Sequence, residues 1–226
     1  MAKFRITGAT KTNIARAVLG ATVLASGLGA HMGTAAAAEK LPVTAAAAST
    51  HDDDRAKRET KISVTAAQVL ALAKSQVGIT ENAYGGGTPY QKWYAASQRA
   101  AETIARDGGT RAEYINAPWC AMFVSWVGER TGARPQVGWD AYTVAYAKWF
   151  QANQRFGTTA KPGAVVFFAW NGSKDLDAIN HVGFVEKDNG DGTISTVEGN
   201  TGNGKVEERV RPTSQVVGYG YPQYAG

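Results

Sequence analysis

The apolar residues change period near residue 163, and no other feature narrows the possible folds as much. Before that point they recur at helical spacing. Thr65-Ala66-Ala67-Gln68 has the pattern of a capping box, and Ala66, Val69, Leu70, Ala73 and Val77 then share one helical face until Gly78. Residues 79–90, with Gly85-Gly86-Gly87, read as a flexible loop. Residues 90–106 read as a second helix, broken by Asp107-Gly108-Gly109. Residues 118–130 and 140–153 read as two more, the last with Val144, Ala145, Trp149 and Phe150 on its apolar side. From Gly163 onward the alternation is two-fold. Short runs at 163–170, 181–187, 193–200, 206–210 and 216–221 predict about five strands. Helices first and strands second specify an α+β domain, an antiparallel sheet with helices packed on one side.

The residues ahead of this domain have a different character. Lys3, Arg5, Lys11 and Arg16 are followed by an uncharged, mostly apolar stretch at 17–30 and by Ala36-Ala37-Ala38. This is the order of a secretory signal peptide over residues 1–38, and the apolar run is short for a membrane span. An uncleaved N-terminal anchor is the alternative reading. Residues 39–60 are Ala-rich and then charged, as in a disordered linker. The remainder, 61–226, suits one domain with a substantial core. The 24 basic and 19 acidic side chains give +5, but residues 1–38 hold four of the basic ones and no acid. The exported chain would carry 20 against 19, a net of +1. No basic stripe is left to argue for nucleic acid, and no later stretch predicts membrane insertion.

Two residue types occur once where they matter. Cys120 is the only cysteine, so no internal disulfide is possible, and an exported chain with one thiol suggests a reactive one or an intermolecular pair. Pro118-Trp119-Cys120 opens an apolar helical run, which places the sulfur in a first helical turn, where unpaired N–H groups favour a thiolate. His181 is the only histidine beyond residue 60. The turn signal Asp188-Asn189-Gly190-Asp191-Gly192 joins the strand of His181 to the next. A type I′ turn at Asn189-Gly190 pairs residues whose numbers sum to 379 and sets His181 opposite Glu198. A four-residue loop, 189–192, shifts the sum to 381 and sets it opposite Asn200. Both sums are odd, so His181, Glu198 and Asn200 share a face either way. A three-residue loop without a bulge would separate them.

Each feature has a plainer explanation alone. A buried cysteine is commonly an inert small hydrophobe, and Glu-Gly-Asn is also a turn sequence. Together they describe a nucleophile (Cys120), a base (His181), an orienting acid (Glu198) and a further polar support (Asn200). Trp119, Trp139 and Trp170 are candidates for the walls of a groove. Asn116 is a candidate oxyanion donor beside the Cys120 N–H, or alternatively a helix cap.

The stretches Ala117-Pro118-Trp119-Cys120-Ala121-Met122-Phe123-Val124-Ser125-Trp126, Asn180-His181-Val182-Gly183-Phe184-Val185 and Val197-Glu198-Gly199-Asn200 resemble the CHAP domain. This is the cysteine, histidine-dependent amidohydrolase/peptidase domain of the papain-like group. Ala73 to Gly78, followed by Glu81, is similar to the opening helix of that family, and the likeness spans about residues 65–222. The resemblance implies a papain-like fold and cleavage of amide bonds in bacterial peptidoglycan, as an N-acetylmuramoyl-L-alanine amidase or a peptide endopeptidase. It implies Cys120 as nucleophile, His181 as base, Glu198 as orienting acid and Asn200 as the polar residue that follows. Some phage members bind calcium through an acidic loop ahead of the cysteine. Nothing like it precedes Cys120, and Asp175 and Asp177 read as ordinary loop residues. No metal or cofactor is expected. The expected product is a secreted monomer, extracellular or wall-associated. A transglutaminase-like acyl transferase on the same triad and a non-catalytic wall-binding module are the alternatives.

Overall fold

A computed structural model describes residues 61–226; the segments read as signal peptide and linker lie outside the described residues. The helices are α1 (Ala66–Ser75), α2 (Pro89–Ala96), α3 (Gln98–Asp107), α4 (Cys120–Thr131), α5 (Arg134–Val137) and α6 (Thr143–Ala152). The strands are β1 (Phe156–Gly157), β2 (Val165–Phe168), β3 (His181–Asp188), β4 (Thr193–Thr201), β5 (Lys205–Pro212) and β6 (Val216–Gly220). The sheet runs β1-β6-β2-β3-β4-β5, with every neighbouring pair antiparallel. The α+β reading holds. The sixth strand is β1, too short at two residues to show a period.

Local chemistry explains the helix boundaries. The expected capping box heads α1: Gln68 N donates to Thr65 Oγ1 at 3.2 Å, and Thr65 N donates to Gln68 Oε1 at 2.9 Å. A second box, Thr88 with Gln91, heads α2 where a loop was expected to continue. Gln91 is fully buried, and its Nε2 donates to Gly85 O at 2.8 Å and Ala117 O at 2.9 Å. That amide fastens the glycine-rich loop to the approach to Cys120. The helix expected over 90–106 is two helices. Ser97 sits between them in an extended conformation, and its hydroxyl accepts from Ala100 N at 3.1 Å as the cap of α3. Arg111 Nη1 donates to the freed carbonyls of Ala95 and Ser97, at 2.5 and 2.7 Å. Helix α6 begins at Thr143, three residues later than expected, because Asp140 is committed elsewhere. Its backbone N–H and carbonyl bind the Ser125 hydroxyl at 3.0 and 2.8 Å, and its carboxylate binds Arg99 and Arg106.

Strand alternation sorts the sheet's side chains into two faces. Val165, Phe167, Val182, Phe184, Val197, Val206 and Val217 join the helices in the main core, with α4 at its centre. Val166, Phe168, Val185, Ile194, Val216 and Tyr219 form a smaller cluster on the reverse face. Phe168 pairs with His181, so His181 and, by odd parity, Glu198 belong to the reverse face.

The β3–β4 hairpin reaches the register sum of 381 by a route the turn signal did not show. Phe184 pairs with Val197 and Val185 with Thr196, whereas Asp188 pairs with Ile194. An odd loop, 189–193, is compensated by a bulge between Val185 and Lys187. Positive φ falls at Gly190 (78°) and Gly192 (84°) and not at Asn189, so the Asn189-Gly190 type I′ turn does not form.

Candidate active site

Helix α4 delivers Cys120 at its first position. The cap residue Trp119 contributes no side-chain hydrogen bond, so no side chain occupies the leading N–H groups of the helix. Asn116 is therefore not the helix cap; it closes a 3-10 turn, Arg111–Ile115, and is exposed. Trp119 is fully buried, stacked on Tyr90 with ring centroids 5.2 Å apart, and its indole N–H donates to Glu81 Oε2 at 2.8 Å. It is a core residue that anchors the start of α4, which corrects its reading as a groove wall.

The helix packs on the main face of the sheet while His181 lies on the reverse face, and the two meet because His181 is the first residue of β3. There the Cys120 thiol comes near enough to the imidazole to raise its proton affinity. His181 Nε2 lies 2.9 Å from Glu198 Oε2, which leaves Nδ1 as the nitrogen facing sulfur. With the sum of 381, Glu198 lies on the diagonal from His181, directly across from Gly183. A Cβ on Gly183 would stand 2.8 Å from Glu198 Cγ, so only glycine leaves the carboxylate its place.

Glu198 is fully buried. Its Oε1 accepts from Thr196 Oγ1 at 2.6 Å and Arg211 Nε at 2.9 Å, and its Oε2 accepts from Arg211 Nη2 at 2.6 Å as well as facing His181. Burial pushes its pKa up, but hydrogen bonds from Arg211, His181 and Thr196 outweigh burial and hold it at about 2. Burial likewise pulls His181 down. The hydrogen bonds and negative charges of Cys120 and Glu198 prevail, raising it to about 9. A ring charged at neutral pH between a sulfur and a carboxylate can stabilise a thiolate and then deliver a proton.

Cys120 is only 6% exposed, yet it opens onto a cavity of about 210 Å³ lined also by Tyr114, Ala117, Pro118, Met122, Ala141, Tyr142, Thr143 and Asn180. Tyr142 and Trp170 are exposed at this end of the sheet, and the Trp170 ring lies 5.0 Å from the His181 ring. Trp139 faces a different cavity, of about 380 Å³, between Trp93 and Arg134. Asn200 lies within the bulge of β4 between Glu198 and Thr201, with φ of 55°, a left-handed conformation that Asn tolerates better than most residues. Among the described residues its side chain makes no hydrogen bond to His181 or Glu198. Arg211 and Thr196, which do bond the carboxylate, were not anticipated. Arg211 lies just past the expected end of its strand at residue 210.

Among the described residues no group of three or more His, Cys, Asp or Glu side chains is placed to hold a metal ion, and no helix is long and apolar enough to cross a membrane. Comparison with curated proteins and with solved structures found no match. A family model, that of the CHAP domain, matches residues 112–200, from the approach to Cys120 through Asn200. Over this segment the chain is similar to the CHAP domain, whose members are generally hydrolases of the cysteine and histidine type, and the match suggests an amidase or peptidase of the peptidoglycan-hydrolase kind.

Proposed function

We propose that this chain is a secreted peptidoglycan hydrolase that cuts an amide bond of the wall through a thioester on Cys120. The observation that carries the reading is one line of contacts, from a thiol facing a cavity, through His181, to a carboxylate sealed from water. In the first step the sulfur attacks the scissile carbonyl carbon, and the oxygen takes the electron pair. The leading N–H groups of α4, which no cap side chain occupies, are available to stabilise that charge, that of Cys120 among them. The carbonyl re-forms as the C–N bond breaks, and the imidazolium protonates the departing amine. A water then gives its proton to His181 and attacks the thioester, and the thiolate leaves. Glu198 stays ionised throughout and holds the ring's orientation.

The order of residues 1–38 supports export, and the wall lies outside the membrane. The cavity beside Cys120 carries no charged side chain, which suits a neutral portion of a glycan-linked or peptide amide. Purified peptidoglycan incubated with the full chain should clear, with new amine and carboxyl ends in the fragments by mass spectrometry. Cys120→Ala should lower the clearing rate by about 10⁴-fold or more with an unchanged far-ultraviolet circular dichroism spectrum. Undiminished clearing by that variant would end the proposal.

A further inference from the structure

We propose that Arg211 is a positioning residue of this site, which with Trp170 clamps the Glu198 carboxylate against His181 and closes it off from water. The inference rests on the reading of Cys120, His181 and Glu198 as the reacting unit, and it concerns a residue outside the matched family segment. Arg211 lies on the edge strand β5, opposite Ile194, and its side chain reaches back along the reverse face to Glu198. The guanidinium grips both carboxylate oxygens, and its Nη2 also donates to Thr201 Oγ1 at 2.8 Å. Its Cζ sits 4.8 Å from the Trp170 ring centroid, and that same ring lies beside His181 and is stacked on Phe168 at 5.4 Å. One indole thus covers both the base and the cation behind its partner.

Two physical consequences follow. A planar fork fixes the plane of the carboxylate, so the Oε2 lone pair not used by Arg211 faces His181 Nε2. The charges also close: thiolate, imidazolium and carboxylate sum to −1 in a buried site, and Arg211 brings the sum to zero. A buried carboxylate without that cation would take up a proton far more readily. The other charged groups facing Glu198 do not replace it. His181 comes from β3 and Cys120 acts from α4 through the ring. From β5, Glu207 stands directly opposite Glu198 and is paired with Arg209 at 2.5 Å. Thr196 and Thr201 do not titrate, and β2 presents only the apolar Val166 and Phe168 on this face.

The test measures iodoacetamide alkylation of Cys120 and wall clearing from about pH 3 to about pH 9, on the full chain and on Arg211→Met, Arg211→Lys and Trp170→Ala. For Arg211→Met, clearing at neutral pH should fall about tenfold or more, and the acid limb of both profiles should move up by about one pH unit or more. Arg211→Lys should return the limb most of the way while clearing stays reduced, because an ammonium cannot form the fork. Trp170→Ala should move the limb in the same direction by less; with Trp170 40% exposed, this variant keeps the test open if Arg211→Met fails to fold. A folded Arg211→Met with a lower melting temperature and a wild-type pH profile would reduce Arg211 to a structural role and overturn the inference. The alkylation profile reads the clamp even if the wild type clears no wall, a result that would sink the hydrolase reading alone.

Discussion

Replacing Gly199 by alanine should separate the two halves of the site without touching a reacting group. The added Cβ would lie 2.6 Å from Phe123 Cβ, 2.7 Å from Phe123 Cγ and 2.8 Å from Trp119 Cζ3. Ordinary carbon contacts are about 3.5–4.0 Å, so about 1 Å of clearance is missing. Neither neighbour can step aside. Both are fully buried, Phe123 packs edge-on to Tyr90, and Trp119 is held by Tyr90 and by Glu81. Relief has to come from α4 moving away from β4, and Cys120 rides on that helix. Overpacking of this kind costs about 1–3 kcal/mol of stability, and a displacement of about 1 Å at a reacting atom costs about 10²-fold in rate. The assay is wall clearing together with a thermal melt. The expected outcome is a folded protein with a lowered melting temperature and a rate down by about two orders of magnitude. A Gly199→Ala protein with wild-type rate and melting temperature would refute the packing argument.

Two further outcomes test the surroundings of the site. Glu81→Gln removes a charged acceptor from the Trp119 indole N–H, and urea unfolding should show a loss of about 1–2 kcal/mol, with no loss if that bond is idle. Stability should also peak between about pH 4.5 and about pH 6.5. Glu198, held at about 2 when folded, contributes above its ordinary 4.5, and this is lost as pH falls toward 2; His181, raised to about 9, contributes below its ordinary 6.5, and this is lost as pH rises through 9. Urea midpoints that stay level from about pH 6.5 to about pH 9 would contradict the His181 side of this balance.

The sequence made some of this legible for identifiable reasons. Period reveals burial on one face, so most of the helical segments and the five longer strands could be read directly. Register needed more. The odd 189–193 loop and the bulge after Val185 cancel, so the parity argument reached the right face while the turn itself was misjudged. Ser97 looked like a helix interior because the pattern continues on both sides, although its hydroxyl is a cap chemistry that could have flagged the break. Trp119 looked like a groove wall because adjacency to Cys120 in the chain says nothing about direction, and its side chain turns inward to Glu81. Arg211 was hidden for another reason. A surface strand of alternating charges is an ordinary edge, and only the folded sheet shows that one of those charges reaches back to a buried carboxylate.

The account depends most on Cys120, His181 and Glu198 behaving as one charge-coupled unit. Nuclear magnetic resonance titration of the His181 ring reads that coupling directly; the other two histidines, His31 and His51, belong to the segments ahead of the domain. The ring should hold its proton to about pH 9 in the wild type and lose it at distinctly lower pH in Cys120→Ala, where burial acts with one fewer opposing partner. A ring that titrates near its ordinary 6.5 in both proteins would contradict the account.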